Sequence, residues 1–240
     1  MRIWGWAVIL YSFCLAGTAG AETWTVSLKA VNGRGTYTHE MQLPVGKQTT
    51  FDGAPATRGW PQRGLIFNAY LNKAEDGLFR LDYMAELTGK NAARPPFQAA
   101  GKVALSPGKP VLAAEASGWK LILELRGEAE KGARKNGNGL IRTSLKCGRE
   151  ERLANFAFLP DQQYTVVTYS QDPESVRRFT VALLPNGSAL DGSFLLQYAL
   201  QLKEGAETLA EKQGELLLNP GGGKSRAAAG DCVFYAKASR

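Results

Sequence analysis

The chain has 240 residues, is 44% hydrophobic, 10% aromatic and 21% charged, and carries a formal net charge of +7. That composition excludes a disordered chain, a collagen and a coiled-coil rod. One histidine and three cysteines exclude zinc fingers and thiolate or histidine metal cages, which need three or four convergent ligands.

Residues 1–21 read as a secretory signal peptide. Met1-Arg2 forms a short positive segment, Ile3 to Ala16 is apolar, and Ala19-Gly20-Ala21 supplies the small residues of a cleavage site ahead of Glu22. The apolar run falls short of the ~20 residues that span a bilayer. Phe13 ahead of Cys14 argues against a lipidated cysteine. The sequence therefore predicts an exported protein, periplasmic or secreted, with no transmembrane segment after cleavage.

Its basic charges are dispersed along the chain, which suggests a solvated surface. An anionic envelope surface is the other partner they suit, and nucleic acid is not expected in that compartment. Cys147 and Cys232, the pair left after cleavage, predict a disulfide in an oxidising environment. Closing so long a loop contributes about 4–5 kcal/mol at most in the chain-entropy model.

Internal similarity organises the remainder. Asp76-Gly77-Leu78-Phe79-Arg80-Leu81-Asp82-Tyr83 and Asp191-Gly192-Ser193-Phe194-Leu195-Leu196-Gln197-Tyr198 share the pattern D-G-x-F-x-L-x-Y. Leu43-Pro44 matches Leu159-Pro160, Gly101 to Leu105 matches Gly214 to Leu218, and Gly118 matches Gly230. The separations drift between about 112 and 116 residues, too long for a solenoid repeat.

Period-two runs fill each unit: Trp24-Val26-Leu28-Ala30, Phe79-Leu81-Tyr83, Val103-Leu105, Trp119-Leu121-Leu123-Leu125, Phe156-Phe158, Phe194-Leu196-Tyr198 and Val233-Tyr235. Turn pairs such as Asn32-Gly33, Asp52-Gly53 and Pro220-Gly221 punctuate them. Lys203 to Leu217 reads as loop plus strand, because Gly205 and Gly214 break any helix.

The expected fold is all-β: two tandem immunoglobulin-like antiparallel β-sandwich domains arising from an internal duplication. Domain 1 covers 22–127 and domain 2 covers 140–240. The polar, glycine-rich 128–139 reads as a linker with hinge freedom unless the interface between the domains is large. Trp119-Lys120 takes the place of Asp231-Cys232, so the bridge belongs to the second unit and ties its first strand to its last.

Catalytic chemistry finds few candidates. His39 lies on a predicted strand with no nucleophile motif beside it. Gly221-Gly222-Gly223-Lys224-Ser225 lacks the spacing of a phosphate loop and reads as a flexible hairpin. Asp76 and Asp191 could pair for glycoside hydrolysis, but Asp-Gly pairs are turn formers. No catalytic residue, cofactor or metal is expected.

Arg58-Gly59-Trp60-Pro61-Gln62-Arg63 sets a tryptophan between two arginines, a hot-spot composition, and makes Arg58, Trp60 and Arg63 the candidate binding residues. The leading expectation is a non-catalytic binding or assembly module of the cell envelope that contacts an envelope or secreted protein. The alternatives are a secreted or periplasmic carbohydrate-active enzyme using carboxylates and a two-domain periplasmic chaperone.

Overall fold

The structure, a computed structural model, describes residues 22–33, 35–53, 64–88, 96–127, 138–169, 176–187 and 192–239. Residues 1–21, the stretch expected to be a signal peptide, lie outside them. The described residues form sixteen strands.

The first half contributes β1 (Thr23–Asn32), β2 (Gly35–Pro44), β3 (Gln48–Gly53), β4 (Gly64–Lys73), β5 (Phe79–Thr88), β6 (Phe97–Leu105), β7 (Val111–Ala116) and β8 (Trp119–Leu125). The second contributes β9 (Gly139–Cys147), β10 (Glu150–Phe158), β11 (Tyr164–Tyr169), β12 (Arg177–Asn186), β13 (Phe194–Glu204), β14 (Glu207–Leu218), β15 (Ser225–Ala229) and β16 (Cys232–Ser239).

The strands form two eight-stranded antiparallel sheets. Sheet A runs β15-β16-β9-β10-β7-β8-β1-β2, and sheet B runs β14-β13-β12-β11-β6-β5-β4-β3. The strand order of the first half recurs in the second with every strand shifted by eight. Register repeats too: Tyr83 stands opposite Gly101, and Tyr198 opposite Gly214.

Alternation explains which faces are buried. Val26, Leu28 and Ala30 of β1 are buried, as are Leu121, Leu123 and Leu125 of β8. At β16 the buried face is Cys232-Phe234-Ala236, so Val233 and Tyr235 point outward. The branched and aromatic character of that run marks the strand and not which of its faces is inside.

One hydrophobic cluster draws on both sheets and both halves. The halves meet edge to edge. In sheet A, Ala154 of β10 pairs with Ala116 of β7, and Phe156 with Ala114. In sheet B, Thr165 of β11 pairs with Ala100 of β6, and Thr168 with Phe97.

Tyr164 is fully buried at this junction. Its hydroxyl accepts the Leu159 N–H at 2.6 Å and donates to the Lys102 carbonyl at 2.8 Å. Its ring lies where a Cβ on Gly101 would be, at 2.5 Å, so only glycine fits there. Of the 128–139 segment, Asn138 and Gly139 are described. Asn138 accepts the Ala104 N–H at 2.8 Å and donates to the Ala104 carbonyl at 2.7 Å, which fixes the entry to β9 on the edge of the first half.

The stretch read as loop plus strand is a long hairpin. β13 extends to Glu204 and β14 starts at Glu207, with a register shift between Leu202 and Lys203. Gly205, at φ 58°, supplies the left-handed turn that the sequence reading took for a break.

The glycine-rich 221–223 segment is not a hairpin within one sheet. It carries the chain from β14 in sheet B to β15 in sheet A, with Gly222 N–H bonded to the Asn219 carbonyl at 2.8 Å.

Cys147 and Cys232 are directly opposed on β9 and β16 and form a disulfide. The bond is compatible with an oxidising compartment. It ties the first strand of the second half to the last. The hairpins β7–β8 and β15–β16 close at Ala116–Trp119 and Ala229–Cys232, which puts Trp119, rather than Lys120, at the position of Cys232. Trp119 is 2% exposed and fills with an aromatic ring the place where the second half has sulfur. Among the described residues, no helix is long and apolar enough to cross a membrane.

Candidate functional site: a basic groove on sheet A

The candidate binding residues Arg58, Trp60 and Arg63 lie outside the described residues, between the end of β3 and the start of β4. Asp191 lies outside them as well. Asp76 is occupied as a turn residue: its carboxylate accepts the Leu78 N–H at 3.0 Å and pairs with Arg80 at 2.7 Å.

His39 sits between the rings of Tyr37 and Phe51, with a centroid distance of 3.6 Å to Phe51. It bridges the edge strands of the two sheets. Burial lowers its pKa, and the neighbouring Glu40 opposes that shift. Among the described residues, no group of three or more His, Cys, Asp or Glu side chains could hold a metal ion.

The outer face of sheet A in the second half brings together residues that the sequence reading treated as dispersed charge. Outward positions of β9 are Arg142, Ser144 and Lys146, those of β16 are Tyr235 and Lys237, and Arg226 lies on β15. Register sets Lys237 directly opposite Arg142, and Arg226 opposite Tyr235. Lys224, delivered by the crossing from sheet B, stands with its Nζ 5.9 Å from the centre of the Tyr235 ring.

Arg142, Ser144, Lys224, Tyr235 and Lys237 line a depression of about 360 Å3 that runs over β9. Thr143 and Ser144 form its floor. Tyr235 and Lys237 form one wall, and Leu153 and Asn155 of β10 the other. Leu153 is 49% exposed. Glu151 is the one carboxylate on the rim.

Directly opposed like charges on neighbouring strands destabilise a sheet. Arg142, Lys146, Lys224, Arg226 and Lys237 make no ion pair among the described residues, although Lys146 stands opposite Glu151. Glu115 on β7, beyond β10, is already engaged, taking the Asn155 amide at 2.8 Å and the Lys120 ammonium at 3.3 Å.

The first half supplies an internal comparison. Ser27 of β1 stands opposite Glu124 and Glu40, as Arg142 of β9 stands opposite Lys237 and Asn155. There Arg126 bridges the two glutamates, at 2.9 Å from Glu40 and 3.1 Å from Glu124. Equivalent ground is thus a closed ion-pair network in one half and an open cationic groove in the other.

Sequence reasoning missed this cluster. Its available signals were the alternations Arg142-x-Ser144-x-Lys146 and Tyr235-x-Lys237, each of which puts its members on one face of a strand, and Lys224-x-Arg226 at the entry to another. That the three faces adjoin is decided by strand order. Compared with known proteins, the chain matches no family model, no curated protein and no solved structure.

Proposed function

We propose that the protein is an exported, non-catalytic binding or assembly module of the cell envelope that acts through protein–protein contacts. The observation that carries this reading is the groove over β9: unpaired cations grouped around an aromatic ring and an exposed leucine. Aromatic and arginine side chains at a recess are the composition of binding hot spots. The disulfide accords with export.

Kinship with immunoglobulin-like sandwiches and origin by duplication of an ancestral half belong to the same reading. The repeated strand order supports the duplication. The Arg58–Trp60–Arg63 segment is a second contact in this proposal.

The test is a cross-linked pull-down of the tagged protein from its native envelope, with Arg142→Glu/Lys237→Glu and Trp60→Ala as matched variants. A stoichiometric partner lost with the groove variant supports the reading. Trp60→Ala should weaken capture by about 2 kcal/mol if that loop is an anchor. Recovery of no partner would count against the binding module and bring it down to parity with the carbohydrate-active enzyme.

A further inference from the structure

We propose that the groove over β9 binds an extended segment of the partner in which an acidic residue is followed, two positions on, by an apolar one. This rests on the binding-module reading and names the chemistry of its ligand.

Three observations lead to it. First, Arg142 and Lys237 stand opposite each other at one end of the depression, on strands whose facing Cβ atoms are about 5 Å apart, and Lys224 lines the same depression with its ammonium over the Tyr235 ring. A carboxylate there meets a guanidinium, which can take it bidentately, and the ammonium group opposite it.

Second, the next outward position along β9 is Ser144, a small residue flanked by Tyr235 and Leu153. It leaves an apolar notch about 6.8 Å from the cationic end, which is two residues of strand. An extended chain presents side chains to one side at that same spacing, so an acidic residue at Arg142 puts the residue two further on over Ser144.

Third, Lys146 lies a further two residues along, opposite Glu151. That end is closer to neutral and so adds less. A flat anionic bilayer would touch the rim cations without reaching the notch. The recess between Tyr235 and Leu153 therefore favours a narrow chain, and the spacing favours a polypeptide.

The probe is the labelled peptide Glu-Thr-Leu-Thr-Glu-Thr-Leu-Thr-Glu, titrated by fluorescence anisotropy against the full protein. The control peptide Glu-Leu-Thr-Thr-Glu-Thr-Thr-Leu-Glu has the same composition with its leucines on the opposite face. The first peptide is expected to bind, the second to bind more weakly, and added salt to weaken both.

Arg142→Glu/Lys237→Glu should reduce affinity by about tenfold or more, as reversal of contacting charges does. Lys29→Glu/Lys47→Glu makes the same change in net charge elsewhere and should have little effect. Tyr235→Ser, which alters no charge, should erase the preference between the two peptides. Thermal melts check that each variant folds, and Lys237→Gln is the milder substitute where the reversal does not.

Equal binding of the two peptides, or equal loss in both charge-reversed variants, overturns the proposal. Binding of phosphatidylglycerol vesicles or polygalacturonate at the groove with the peptides silent also overturns it. A partner captured from the envelope and lost with Arg142→Glu/Lys237→Glu, alongside silent peptides, would remove this ligand while leaving the binding module standing.

Discussion

The Tyr164 hydroxyl serves two backbone groups at the line where the halves meet, the buried Leu159 N–H and the half-buried Lys102 carbonyl. Burial pushes its pKa well up, so it stays a neutral donor. Tyr164→Phe leaves both groups without that partner and should cost about 1–3 kcal/mol in urea denaturation. Gly101→Ala sets a methyl against the same ring and should cost about 1–3 kcal/mol by overpacking.

His39 gives a residue-scale pH dependence. Its folded pKa is lowered from 6.5, first by burial. The unfolded chain then binds the proton more readily, so stability is complete above 6.5 and declines as the pH falls below it toward the folded value. His39→Phe should flatten the urea midpoint between neutral and mildly acidic pH in that window. An unchanged slope would assign it to other groups.

At the scale of elements, the disulfide and the edge strands matter most. Cys147–Cys232 ties β9, which carries the groove floor, to β16, which forms one of its walls. Non-reducing peptide mapping should recover the two cysteines linked. The Cys147→Ser/Cys232→Ser variant should melt several degrees lower, since about 4–5 kcal/mol is the ceiling for so long a loop.

The outer edges differ from the inner ones in a way that bears on pairing. At the junction, β6 offers Gln98, Ala99 and Ala100 to Val167, Val166 and Thr165. By the repeated register, the corresponding free edges are β14, with Glu211, Lys212 and Gln213, and β3, with Asp52, Phe51 and Thr50. Lys212 pairs with Leu200 and so faces the buried side of its sheet from an edge. An inward-facing lysine blunts an edge against further strand addition.

For the whole molecule, this predicts that copies do not chain end to end. A further β3–β14 junction would set Asp52 against Glu211 and bury Lys212 where Ala99 is 2% exposed. Sedimentation velocity should give a species free of end-to-end oligomers. The triple variant Asp52→Val/Glu211→Gln/Lys212→Ala should associate head to tail into open-ended chains, the outcome of a heterologous interface that does not close. If the variant behaves as the parent does, the charges are not what terminates the sheets.

By itself, the sequence determined the strands. Alternation over Trp24 to Ala30, Phe79 to Tyr83 and Phe194 to Tyr198 is a local property of each chain segment, and so are the turn pairs that bound them. The cysteine pair was legible too, since counting cysteines needs no coordinates. Only the tertiary structure decided what lies beside what. That β10 and β11 of one half continue the sheets of the other is a matter of edge pairing over long sequence separations, which no local period encodes. The groove has the same origin: Arg142, Lys224 and Lys237 each read as solvated charge until strand order sets β9 beside β16 and β16 beside β15. Tyr235 turned outward because Cys232 and Phe234 occupy the core face, and in a strand the alternation fixes a neighbour's face only once one residue's face is known.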